Sequence, residues 1–153
     1  MTEYSVKHST FTLERTYSSS PARVFAAWAD RDTKARWFAR DDADYTLDFR
    51  VNGTEAAHGR TDDGADILAE SVYRDIVTDE RIVYTTLLSG RGRLATVSTT
   101  TVEFVPEGSG TRLVLTEQDT FLDEQEQPEW RQQGTANWLD GLGAVLAHPP
   151  KSA

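Results

Sequence analysis

The stretch that most constrains the fold is Glu129 to Ala147, EWRQQGTANWLDGLGAVLA. On a period of about 3.6 residues, Trp130, Gly134, Trp138, Gly141, Leu142 and Val145 share one broad face, while Arg131, Gln132, Gln133 and Asp140 fall away from it. The spacing predicts a long amphipathic helix. Pro128 stands where its missing N–H costs nothing, Glu129 complements the positive end of the helix dipole, and Pro149 and Pro150 stop the ladder. A face mixing two tryptophans with two glycines either packs closely on a sheet or roofs a space. Trp130 and Trp138 read as anchors, and Gly134 and Gly141 as gaps.

A sheet to pack against is written through the rest of the chain. His8–Tyr17 alternates as a first strand, with Phe11, Leu13 and Tyr17 on one side and Arg15 sharing it. Ser18–Pro21 supplies a turn, an N-cap and proline at the first helical position, opening a short helix over Ala22–Ala29. A second short helix runs from Asp32, as its cap, to Phe38. After an acidic turn at 40–44 the period changes to two: Tyr45, Leu47, Phe49 and Val51 share a face, and Asn52-Gly53 is a strong hairpin signal. Thr54–Arg60 returns. Ile67–Val77 is a strand of unsettled facing, since either register sets a charge among apolar residues. Glu80–Leu88, Leu94–Val105 and Thr111–Thr120 follow, the last two joined by PEGSG at 106–110, with Val102 and Phe104 facing Leu113 and Leu115.

The expected fold class is therefore α+β: a curled antiparallel sheet of about six to seven strands wrapped on a long C-terminal helix, with two short helices after strand one. A straight helix cannot touch the whole of a curled sheet, so a cavity between them is geometrically natural.

Composition narrows the function. A chain of 153 residues reads as a single domain over 1–153 that needs no metal or disulfide to fold, and with no cysteine, thiolate chemistry is excluded. The net charge of −9 argues against nucleic acid and anionic lipid as partners. The start has no leader-like segment, and no stretch approaches the roughly 20 apolar residues of a membrane span, so the expectation is a soluble, cytoplasmic protein without membrane insertion.

The ordered segments FTLERTYSSSPARVFAAWADRDTKARWFA, YRDIVTDERIVYT, TVEFVPEGSGTRLVLTEQ and NWLDGLGAVL resemble the START-like helix-grip (SRPBCC) superfamily, and within it the branch named for the activator of the 90-kDa heat-shock chaperone's ATPase. The resemblance covers nearly the whole chain. It implies the helix-grip fold and a hydrophobic cavity under the C-terminal helix, but no single activity: relatives include carriers of lipids and plant metabolites, polyketide cyclases and aromatases, and chaperone activators.

His8, His58 and His148 have no metal-ligand spacing, so no metal is expected, and no cofactor. No nucleophile elbow occurs. His58, Tyr84 and Glu117 form one candidate acid/base set. Glu117, with the parity of Leu113 and Leu115, points inward; its structural reading is a pair with an arginine such as Arg15. The aromatics carry more: Trp28, Trp37, Phe38, Tyr45, Phe49, Tyr84, Trp130 and Trp138 surround one space in such a fold, and for any one of them core packing is the commoner role. Asn137 and Gly141 complete the cavity candidates. The loops at 62–66 and 89–93 frame its mouth. The first reading is a binder of a small hydrophobic, lipid-like or aromatic molecule; the second is a cyclase, aromatase or dehydratase; the third is a chaperone contact, for which the sequence lacks the extra N-terminal domain of the eukaryotic activators. Oligomeric state is not readable.

Overall fold

The computed structural model describes residues 4–39, 44–61 and 63–148. Pro149, Pro150 and most of the acidic turn after Phe38 lie outside them, as does Asp62. Ten elements follow in order: β1 (Val6–Tyr17), α1 (Pro21–Ala29), α2 (Arg31–Phe38), β2 (Asp44–Leu47), β3 (Thr54–Arg60), β4 (Asp66–Val77), β5 (Arg81–Gly90), β6 (Arg93–Glu107), β7 (Gly110–Leu122) and α3 (Pro128–Ala147). The strands form one antiparallel sheet in the order β1-β7-β6-β5-β4-β3-β2. Five hairpin steps run from β2 to β7, and β1 closes beside β7. The α+β helix-grip architecture expected from the sequence is the one observed.

Local chemistry explains the boundaries. The Ser20 hydroxyl accepts from the Arg23 amide at the start of α1, with Pro21 in the first turn. The second cap is Asp30, not Asp32: its carboxylate accepts from both the amide and the hydroxyl of Thr33, which holds its pKa below the usual carboxylate range. Strand β2 ends at Leu47, so Phe49 and Val51 do not continue its face. Phe49 instead packs on Phe25 and Tyr73, and Val51 is exposed. Asn52 takes φ 70°, and a Cβ on Gly53 would stand 2.1 Å from the Asp48 carbonyl oxygen, so the turn needs glycine there.

The unsettled facing of β4 has a physical cause. Its register with β5 shifts between Tyr73 and Asp75, a bulge that changes the inward parity in mid-strand. Ser71 and Tyr73 are buried before it; Ile76, after it, packs on the core, and Arg74 is left outside. The paired strands β6 and β7 meet as the sequence predicts, Val102 opposite Leu115 and Phe104 opposite Leu113. With Phe11, Phe25, Trp28, Tyr84, Leu139 and Leu142 they form the core on the inner face of the sheet.

The long helix is where the sequence reading needs correcting. Its buried residues are Arg131, Thr135, Leu139, Leu142 and Leu146, a stripe rotated from the one the apolar pattern marks. Trp130 is 63% exposed and anchors nothing, and a Cβ on Gly134 would meet nothing within 4 Å, so that glycine makes no room. Gly141 does face the protein, with its would-be Cβ 3.5 Å from the Trp37 carbonyl oxygen. It permits close approach of α3 to α2 and opens no gap. The rotation follows from a polar anchor that an apolar periodicity cannot see: Arg131 is drawn inward by Glu117 on β7, at 2.7 Å.

Candidate functional site

Two spaces lie between the N-terminal half of α3 and the sheet. The inner one is a cavity of about 60 Å³ lined by Phe38, Ala69, Ser71, Tyr84, Thr86, Leu88, Glu117, Arg131 and Trp138. The outer one is an open groove of about 510 Å³, lined by Ile67, Leu88, Ala95 and Trp130 among apolar groups and by Asp66, Arg91, Arg93 and Glu126 among charged ones. Leu88 belongs to both. The loops expected to frame a mouth border this groove, where Arg91 pairs with Asp63 and Arg93 with Asp123.

The positions of the inner lining follow from strand register. Glu55, Ser71, Thr86 and Ser98 are successive cross-strand neighbours, as are Tyr73, Tyr84, Thr100 and Glu117, so two inward-facing rows cross the sheet, one from β3 to β6 and one from β4 to β7. These rows place hydroxyls and acids on the concave side. Ser71 and Thr86 bond each other at 2.7 Å, and the Thr100 hydroxyl donates to Glu117. In the cavity the Ser71 and Thr86 hydroxyls and the Arg131–Glu117 pair are the polar groups of a lining otherwise made by Phe38, Ala69, Leu88, Tyr84 and Trp138.

Glu117 accepts from Nε of Arg131, not from Arg15, which pairs with Asp140 at the surface. Burial disfavours charge on Arg131, but Glu117 outweighs it and holds the guanidinium above its usual pKa. Among the described residues, nothing accepts from the two terminal nitrogens of Arg131. Two residues along β7, Asp119 is 4% exposed, and neither of its carboxyl oxygens has a hydrogen-bond acceptor's usual donor partner among the described residues. Burial, reinforced by Glu117, pushes the Asp119 carboxyl up to about 8, so at neutral pH it is mainly the neutral acid.

A second buried ion pair lies behind the cavity. Lys34, fully buried, sets its Nζ 2.6 Å from Glu55 and 3.2 Å from the Tyr73 hydroxyl. It also lies 4.5 Å from the Phe38 ring centre and 5.0 Å from that of Trp28. The Tyr45 hydroxyl bonds the same Glu55 oxygen. Burial lowers the pKa of Lys34 and Glu55 opposes it; burial and Glu55 raise that of Tyr45 and Tyr73.

The structure thus distributes the sequence candidates over three settings. Phe38, Tyr84, Glu117 and Trp138 line the inner cavity, and Trp130 lines the outer groove. Trp28, Trp37 and Tyr45 are packed around the Lys34 pair, Trp28 and Trp37 edge to face at 4.8 Å, and Phe49 packs on Phe25 and Tyr73. His58, with the parity opposite to inward Glu55, is partly exposed 3.7 Å from Asp66. It does not join Tyr84 and Glu117, and the candidate acid/base set does not assemble. Asn137 is exposed and bonded to Gln133, and Gly141 abuts Trp37. Sequence reasoning missed Lys34, Glu55, Arg131 and Asp119. The signal available was one of register: Asp119 has the parity of Glu117, and two inward acids on one strand call for a cation opposite. Among the described residues no group of three or more His, Asp or Glu side chains could hold a metal ion, and no helix is long and apolar enough to cross a membrane.

Comparison with known proteins places this geometry. The family model described as Activator of Hsp90 ATPase homolog 1-like protein matches residues 18–147. An uncharacterised protein of Rhizobium leguminosarum is 37% identical over 95% of this chain and 99% of its own, with a TM-score of 0.92. A protein of Rhizobium loti is 42% identical over 92% of this chain and 98% of its own, with a TM-score of 0.87. One from Chromobacterium violaceum is 25% identical over 92% and 98%, at 0.77. No curated protein matches.

Proposed function

The chain belongs to the Activator of Hsp90 ATPase homolog 1-like family, and from that premise we propose that it is a binding protein for a small hydrophobic molecule held between α3 and the sheet. The fold family is of a ligand-binding kind, which supports the reading. The observation that carries it is a pair of spaces that share Leu88 as a wall: an open groove of about 510 Å³ and a cavity of about 60 Å³. The groove lies within the range of small-molecule sites, roughly 300–1,000 Å³. Its apolar wall, Ile67, Leu88, Ala95 and Trp130, takes the body of the ligand, and the cavity takes one projecting group. The exposure of Trp130 has a use in this reading, because an indole left in water recovers burial when a ligand covers it.

The test is a two-dimensional NMR titration with a small library of neutral aromatic and aliphatic compounds. Shifts should concentrate on Leu88, Trp130 and Trp138 and on the amides of Ala69 and Thr86. Shifts elsewhere, or none with any compound, would sink the proposal.

A further inference from the structure

Resting on that reading, we infer that the ligand presents a neutral hydrogen-bond-accepting oxygen, a ketone or amide carbonyl, to the terminal nitrogens of Arg131 in the inner cavity. Three observations converge on it. Arg131 lines the cavity and is only 8% exposed, yet only its Nε is engaged, by Glu117 at 2.7 Å. The terminal nitrogens carry four N–H donors, and among the described residues none of these meets an acceptor. The terminal nitrogens are not among the fully enclosed polar atoms, so they stand where solvent reaches them and where a ligand oxygen can take the place of water. Ser71 and Thr86 bond each other, and neither is bonded to the guanidinium.

The charge balance selects a neutral group over an anion. Glu117 already compensates the single positive charge, and Asp119 and Glu126 add two more acids around the same guanidinium. The site cannot ionise all the acid it holds, since burial and Glu117 keep Asp119 protonated at neutral pH. A ligand carboxylate would bring a further anion beside Glu117 with no new cation to meet it, at a high desolvation cost. A carbonyl takes the two N–H groups without that cost. Size agrees: about 60 Å³ holds a functional group of a few heavy atoms, while the hydrocarbon or aromatic body stays in the groove beyond Leu88.

Three naphthalenes of one shape test this: 2-acetylnaphthalene, with the carbonyl; 2-isopropylnaphthalene, its isostere without oxygen; and 2-naphthoate, the anion. Affinities come from NMR titration at pH 7, with the Arg131 side-chain resonances followed directly. The ketone should bind roughly ten- to a hundred-fold more tightly than the isopropyl compound, as one hydrogen bond to a charged donor implies, with naphthoate weakest and the Arg131 signals moving only with the ketone. Equal binding of ketone and isopropyl compound would overturn this inference and leave the binding-protein reading standing; tightest binding of naphthoate would overturn the neutral class; no binding by any of the three would overturn both. The double variant Glu117→Gln/Arg131→Gln, which leaves no lone buried charge, should lose the preference for the ketone while keeping its affinity for the isopropyl compound. Retention of the preference would also defeat the inference.

Discussion

The two buried ion pairs, Lys34 with Glu55 and Arg131 with Glu117, are made of the same chemistry and do opposite things. Each joins a helix to an inward strand position, α2 to β3 and α3 to β7. Lys34 is enclosed: its ammonium meets Glu55 and the Tyr73 hydroxyl, rings of Phe38 and Trp28 cover it, and the Tyr45 hydroxyl bonds the same Glu55 oxygen, so that the other carboxyl oxygen has no partner among the described residues. Arg131 is not: only its Nε is engaged, and its side chain lines the cavity beside Phe38 and Trp138. Phe38 is the partition between them, covering Lys34 while its ring packs 4.6 Å from that of Trp138 on the cavity side. The difference teaches that burial of a charge does not by itself mark a site. A pair closed in by rings is framework, and a pair that borders a cavity with donors to spare is positioned for recognition.

The largest effect should come from breaking the enclosed pair. Lys34→Met leaves Glu55 charged and enclosed, and should cost about 3–5 kcal/mol in urea unfolding, with Lys34→Met/Glu55→Leu recovering much of it. Arg131→Met should cost clearly less, because the cavity beside Glu117 admits water to the orphaned carboxylate. Equal costs would erase the distinction drawn here.

A pH series sharpens the same contrast, since Asp119 belongs to the Arg131 side alone. Its carboxyl faces Glu117, Arg131 and Glu126, and its folded pKa of about 8 stands above the unfolded value of 3.8. A raised pKa means that the folded protein holds the proton more tightly. That stability is fully present below about pH 4 and is lost as pH rises through about 8, with a limiting slope of about 1.4 kcal/mol per pH unit for one group. Asp119→Asn, which cannot ionise, should therefore gain on the wild type as pH goes from 4 to 8 in parallel thermal melts. A constant difference across that range would show that Asp119 is ordinary.

Much of this fold was written in the sequence, and little of the site. Period-two runs, Asn52-Gly53 and Ser20-Pro21 gave strands, hairpin and helix start because those signals are local. The helix face was misread because hydropathy ranks Trp130 inside and Arg131 outside, while the partner that reverses the order, Glu117, stands on another strand. Lys34 was hidden in the same way: in Arg31–Phe38 it resembles any solvent-facing lysine until Glu55 and Tyr73 come round it. Glu117 was legible as inward, but the choice between Arg15 and Arg131 as its partner depends on how far α3 is rotated over the sheet.

The glycines of α3 give the smaller effects and separate its two halves. Gly141 lies where the helix closes on α2, with the Trp37 backbone in van der Waals reach. Gly141→Leu should overpack that contact and cost about 1–3 kcal/mol. Gly134, one turn beyond Arg131 on the half that roofs the cavity, has nothing within 4 Å of a new Cβ and sits in mid-helix. Gly134→Ala should then stabilise by up to about 1 kcal/mol through helix propensity alone, leaving ligand titrations unchanged. A Gly134→Ala variant that lost stability or affinity would mean that this glycine meets the ligand or another surface. The open half of α3 would then be recognising its partner through backbone as well as through Arg131.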